Sequence, residues 1–340
     1  MEQAAYSVAT KTVDGFQVCV LREGQKAIAE IVPALGNNCY TCRVADTGSG
    51  AEGGNWLDLI DAPPDLRTLQ EQPDSYGIPI LFPFPNRIRG GTWRFEGETY
   101  RFDKPPESPT SIHGLLLNRP YQVESHTADA NGAALVCTLD SRAFADIGRQ
   151  YPFPFNIGIT YRLKDTVLSL GVSIQNIGDR NMPMGFGIHP YFRAGLSPDA
   201  NAAAALIKVP AASYWELDED SVPTGKRLAA ADDLDLRDGK LFAGLTLDHV
   251  YTDVQREADG ASRCGIENQD TGHGLVMESD ASFRELVVYT PPGRDVICFE
   301  PYTCPTDAIN LAAKGIPAGV IVLAPGATFS AAVRIVPTLP

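Results

Sequence analysis

The sequence predicts an all-β fold of the sandwich or barrel kind. Alternation of apolar and polar residues with period two recurs along the chain, turn-forming residues break it at short intervals, and 3.6-residue periodicity is nearly missing. Glycine and proline, 31 and 26 of 340 residues, are scattered without a repeat, as frequent turns require. With 44% hydrophobic residues the chain can bury a sizeable core.

Taken in order, strand-like runs occupy Phe16–Leu21 and Ala27–Val32. Gly91–Phe102 reads as a hairpin, with Trp93 and Phe95 facing Tyr100 and Phe102 across a Glu-Gly-Glu turn. Leu135–Leu139 and Ile157–Leu163 follow. Val167–Asn176 is the clearest case, because Leu168, Leu170, Val172 and Ile174 fall on one face opposite Ser169, Gly171 and Ser173. Glu285–Thr290, Val296–Phe299, Ala318–Leu323 and Phe329–Val336 complete the set. Helical candidates are few: a turn or two at Ala143–Arg149, and a short turn at Thr306–Leu311 begun by Pro305 and capped by Thr306. Glu216–Asp238, the most polar segment, reads as a surface excursion. Gly315–Val333 is uncharged but broken by Pro317 and Pro325, so it reads as two strands and a turn, not a membrane span. No low-complexity linker divides the chain, and residues 1–340 are expected to form one β domain.

Lys and Arg number 28 against 42 Asp and Glu, giving a net charge of −14. A polyanion meets repulsion before any specific contact, so nucleic acid and anionic membrane surfaces are not expected partners. Seven cysteines, an odd number, give no disulfide framework. Cys39 and Cys42 have C-x-x-C spacing, but no second pair follows and NNCYTCRV looks like a strand, so ordinary reduced thiols are expected. The N-terminal segment lacks a basic region and an apolar core, which leads to the expectation of a cytoplasmic protein.

Five places combine ionisable residues with Gly, Pro and aromatics. Asn86 and Arg87 follow the run GIPILFPFP, and the Arg87 guanidinium offers several fixed donors for hydroxyls or a carboxylate. Arg89 shares its strand face and leaves an anionic substrate open. His113 precedes Gly114. His189 lies in GFGIHPYF, where Pro190 biases its backbone to an extended conformation and Gly185 and Gly187 leave room for a ligand. Asp248 opens DHVY. Glu300 ends the apolar run VICF, where a carboxylate loses water and gains proton affinity. Read singly, these are equally a salt bridge, core histidines and a turn carboxylate. His126, His249 and His273 sit in polar segments and carry no assigned chemistry.

No H-E-x-x-H, phosphate-binding glycine loop, dinucleotide fingerprint or G-x-S-x-G elbow is present. Proton transfer without a metal or cofactor is the remaining chemistry.

In order and spacing, NRI at 86–88, IHG at 112–114, HPYF at 189–192, DHVY at 248–251 and FEPYTCPTDAIN at 299–310 resemble the aldose 1-epimerase (galactose mutarotase) family. The resemblance runs from about Gly77 to Val336 and includes the hairpin GTWRFEGETYRF. It implies a β-supersandwich of two large antiparallel sheets and cofactor-independent interconversion of the α and β anomers of a free sugar. It further implies Glu300 as general base at the anomeric hydroxyl and His189 as general acid at the ring oxygen. His113 matches a second imidazole near that oxygen, while Arg87 and Asp248, with Asn86 beside them, match residues that hold other hydroxyls. GIPILFPFP resembles the hexose-phosphate epimerase branch, so a sugar phosphate or acidic sugar stands as an alternative substrate.

Ordinary carboxylate and imidazole pKa values of about 4.3 and 6.5 lead to the expectation of an ionised Glu300 and a modestly raised His189 near neutrality. Two rivals remain: a glycoside hydrolase using Asp248 and Glu300, and a catalytically silent sugar-binding or sensing protein on the same fold. The expected partner is a small sugar, with the protein a monomer or homodimer.

Overall fold

The computed structural model describes residues 5–46, 55–197 and 200–340. Among them, three large antiparallel sheets carry most of the chain. The first runs in sequence order through Tyr6–Val13, Phe16–Glu23, Ala27–Val32, Asn38–Asp46 and Asn55–Asp58. The second orders Gln122–Asp129, Gly132–Asp140, Phe155–Lys164, Val167–Asn176, Thr328–Thr338, Gly274–Ser279, Ser262–Asn268, Ala205–Lys208 and Lys240–Leu241. The third orders Pro223–Ala229, Ala211–Leu217, Asp248–Val254, Glu285–Tyr289, Val296–Tyr302, Gly187–Ile188 and Ile80–Leu81, and Tyr191–Arg193 also pairs with Val296–Tyr302.

The alternation read from the sequence is the cause of the layering. Leu168, Leu170, Val172 and Ile174 are buried on one face of their strand, and Phe155, Ile157, Ile159, Tyr161 and Leu163 do the same on its neighbour. Each such side chain contributes roughly 1.5–3 kcal/mol relative to exposure. Cys39 and Cys42 are fully buried in the Asn38–Asp46 strand, and burial pushes the Cys42 thiol up to about 12. No helix of the described residues is long and apolar enough to cross a membrane.

Three local expectations need correction. The hairpin strands are Thr92–Phe95 and Glu98–Arg101, with Trp93 opposite Tyr100 but Phe95 opposite Glu98. The reason is a two-residue turn, Glu96-Gly97, with φ of 47° and 85°, which shifts Phe102 beyond the paired segment. Phe102 still stacks on Trp93, ring centroids 5.4 Å apart.

The last helix spans Ala308–Ala313, and its cap position is Asp307 in left-handed backbone, not Thr306. Asp307 is fixed by the strand Arg87–Arg89: its N–H donates to the Arg87 carbonyl at 2.9 Å, and its Oδ1 accepts from the Arg89 N–H at 3.2 Å. The Ala318–Leu323 run is a strand only over Ile321–Leu323, because Gly319 turns with φ 66°.

Position of the site follows from the strand Val296–Tyr302. Ile297 and Phe299 point into the main core, where Phe299 meets Phe192 at 5.8 Å. Cys298, Glu300 and Tyr302 therefore occupy the opposite face.

Candidate active site

Cross-strand register assembles the floor. Glu300 lies opposite Val287, which lies opposite Val250; the adjacent row holds Cys298, Tyr289 and Asp248. A carboxylate set among valines, with 1% exposure, has almost no water. Its Oε1 meets Nε2 of His189 at 3.2 Å, and its Oε2 accepts a short hydrogen bond from the Tyr302 hydroxyl.

His189 sits between the strands Gly187–Ile188 and Tyr191–Arg193, with its N–H donated to the Pro79 carbonyl at 3.0 Å. Its ring stacks on Tyr191 at 4.6 Å with 5° between planes, and the Tyr191 hydroxyl is tied to the Asp74 carbonyl at 2.5 Å. Arg294 backs Tyr191, its guanidinium 5.2 Å from the ring centroid, and donates to the Ser75 carbonyl at 3.0 Å and to Asp61 at 2.5 Å. The Gly185 and Gly187 pair makes room for protein side chains, not for a ligand. A Cβ at Gly185 would stand 2.4 Å from Sγ of Cys304, and one at Gly187 would stand 2.4 Å from the Tyr302 ring.

Short strands Arg87–Arg89 and Thr110–Ile112 pair and bring Asn86 beside His113, whose N–H donates to the Asn86 carbonyl at 2.8 Å. Both residues have positive φ, 56° and 61°, a conformation that turns the chain sharply at the cleft. His113 packs edge-on against His189, ring centroids 5.4 Å apart. The Asn86 Oδ1 accepts from Arg87 Nη1 at 2.9 Å and so fixes the guanidinium.

All six expected residues, Asn86, Arg87, His113, His189, Asp248 and Glu300, line one open cleft. Asp74, Ser75, Ile112, Tyr191 and Tyr289 line it too. Tyr191 and Ile112 stood inside noticed motifs. Asp74, Ser75 and Tyr289 had no sequence signal, since loop closure and register bring them in. Arg89 is absent from the lining and is paired with Asp218 and with Asp220, the latter at 2.6 Å.

Burial sets the proton affinities. It pushes Glu300 up to about 8, helped by the charge of Asp248 and opposed by the Tyr302 hydrogen bond and Arg87. Burial also holds His189 well below the ordinary imidazole range, with His113 and Arg294 adding to it. The expected modest rise of His189 is thus overturned, because the ring loses water and its cationic form is repelled by His113 and by the Arg294 guanidinium. His113 falls to about 4 for the same leading reason, Arg87 adding and Asp74 opposing. At the Glu300–His189 contact burial thus favours the neutral forms, carboxyl and imidazole. Such a pair can give a proton to one oxygen while accepting one from another.

The profile of the aldose 1-epimerase family matches residues 51–336. The chain belongs to the aldose 1-epimerase family. Among its relatives, the uncharacterized protein YihR of Escherichia coli (strain K12) is 28% identical over 243 residues, 71% of this chain and 74% of that protein. Human galactose mutarotase is 26% identical over 158 residues, 46% of this chain and 43% of that protein. A solved galactose mutarotase-like protein from Clostridium acetobutylicum superposes with a TM-score of 0.89 at 20% identity, covering 99% of both chains. Galactose 1-epimerase from Lactobacillus acidophilus NCFM gives 0.75 at 17% identity over 98% of both. These structural likenesses establish the fold: a galactose mutarotase-like, all-β arrangement of large antiparallel sheets.

Proposed function

We propose that this aldose 1-epimerase family member is a mutarotase, interconverting the α and β anomers of a free neutral aldose through the open-chain form. The observation that carries the reading is the 3.2 Å contact between Glu300 Oε1 and His189 Nε2 at the buried floor of the cleft.

In the charge-separated form of the pair, Glu300 is ionised and His189 protonated. Oε1 takes the proton of the anomeric hydroxyl, O1 becomes a carbonyl oxygen, the bond from C1 to the ring oxygen breaks, and that oxygen takes the proton of His189. Both groups are then neutral, the state that burial favours. Rotation about C1–C2 and reversal of both transfers close the ring on the other face. Positioned proton transfer of this kind contributes on the order of 10²- to 10⁴-fold. His113 stands beside the acid, Arg87 and Asp248 bind hydroxyls, and Asn86 holds Arg87 in place.

Charge supports a neutral substrate. The cleft lining carries Asp74 and Asp248 against the single guanidinium of Arg87, while Arg89 is engaged by Asp218 and Asp220. A phosphate dianion would meet more repulsion than attraction there.

The test is polarimetry of freshly dissolved single-anomer glucose, galactose and glucose 6-phosphate with and without the protein. Accelerated equilibration of a neutral hexose is expected, with Arg87→Ala and Asp248→Asn raising KM about tenfold and leaving kcat within about threefold. Preference for the 6-phosphate would overturn the neutral-sugar assignment, and tight sugar binding without acceleration would overturn the activity.

A further inference from the structure

Tyr302 lies outside the cleft lining, yet it is fully buried and bonded to the reacting carboxylate. Resting on the mutarotase reading above, we infer that Tyr302 is a positioning residue of the acid–base pair. Its hydroxyl holds Oε2 of Glu300, which leaves Oε1, the oxygen against His189, to exchange the proton with the sugar.

Three features of the fold support this. Tyr302 is two residues beyond Glu300 on the same strand face, so the phenol can fold back along the strand to the carboxylate. Gly187 stands opposite Tyr302 in the sheet, and its missing Cβ is the space the phenol ring occupies. The ring is also packed among Leu81, Trp215, Val250 and Val287, which leaves it one position. Among the described residues, the other charged or titratable groups facing Glu300 are Asp248, Arg87, His189, Tyr191, Tyr289 and Cys298. None of these hydroxyls or thiols is hydrogen-bonded to it.

A phenol that stays protonated is always a donor, and burial drives the Tyr302 hydroxyl well above its ordinary range. A donor to Oε2 favours the carboxylate over the carboxylic acid, and therefore raises the share of the charge-separated pair from which ring opening starts. Without it, Glu300 keeps its proton and turnover falls, although sugar contacts are unchanged.

The experiment is Tyr302→Phe, which keeps the ring over Gly187 and removes only the hydroxyl. Anomer equilibration of the preferred aldose is followed by polarimetry from pH 5 to 10. The expected result is a roughly tenfold fall in plateau kcat, KM within about twofold, and an alkaline limb moved up by about one pH unit from its wild-type position. A fall in kcat with the limb unmoved would overturn the inference, as would an unchanged profile. Glu300→Gln measured alongside separates the two layers. Near-normal turnover there removes the acid–base pair itself, whereas an inactive Glu300→Gln with an unshifted Tyr302→Phe profile overturns only the role of Tyr302.

Discussion

Glu300 and His189 meet across 3.2 Å and work with one proton between them in the proposed mechanism, so their pH dependence belongs to the pair. Above about 8 the pair loses that proton and has no acid for the ring oxygen; well below the ordinary imidazole range it gains a second and has no base. The expected kcat profile is a broad plateau through neutrality that declines on the alkaline side near pH 8. Glu300→Gln and His189→Asn should each lower plateau kcat by at least about 10²-fold with the fold intact by circular dichroism. Turnover near wild type in either variant would remove the mechanism. The two residues were legible in the sequence, one before a proline and one ending an apolar run. The raised proton affinity of Glu300 was legible in its apolar run, but the lowering at His189 was not, since it comes first from burial of the ring and then from His113 and Arg294, which only the folded chain brings near.

Strands were legible where one face is buried, and Val167–Asn176 is found with the boundaries its alternation gives. The helix Leu66–Glu71 left no periodic trace because six residues are under two turns; its signal is local, an Asp65 side chain accepting from the Thr68 N–H at 2.7 Å. Contacts across long separations were hidden as well, as with Arg89 and its partners more than a hundred residues away. Close packing between elements gives a testable consequence at Gly187. Gly187→Ala forces a Cβ to 2.4 Å from the Tyr302 ring, which should cost about 1–3 kcal/mol of stability in denaturant unfolding and lower kcat together. Gly171→Ala, in a strand with open space around the site, should stay within about 0.5 kcal/mol of wild type. Equal effects at the two positions would mean that the Tyr302 ring has room to move.

For the whole molecule, buried carboxyls make stability depend on pH. Burial pushes Glu285 up to about 7, although the Trp215 indole N–H donates to it at 3.0 Å. The folded value exceeds the unfolded one, so the folded chain holds a proton that the unfolded chain releases. Its stabilising share is therefore present below about 4.5 and lost as pH rises through 7, on the order of 3 kcal/mol in all. Glu285→Gln is expected to unfold at higher denaturant than wild type at pH 8, with the gap closing toward pH 5. A gap independent of pH would show that Glu285 does not titrate with folding. The net charge of −14 adds self-repulsion in the same direction.

All seven cysteines are unpaired and buried. While the chain is folded, oxidants and alkylating reagents find no accessible sulfur. Denaturation uncovers every thiol together, and an odd set cannot be consumed by pairing within one molecule. At least one is left to cross-link a neighbour, so heat damage in air should become irreversible through covalent aggregates that a reductant dissolves.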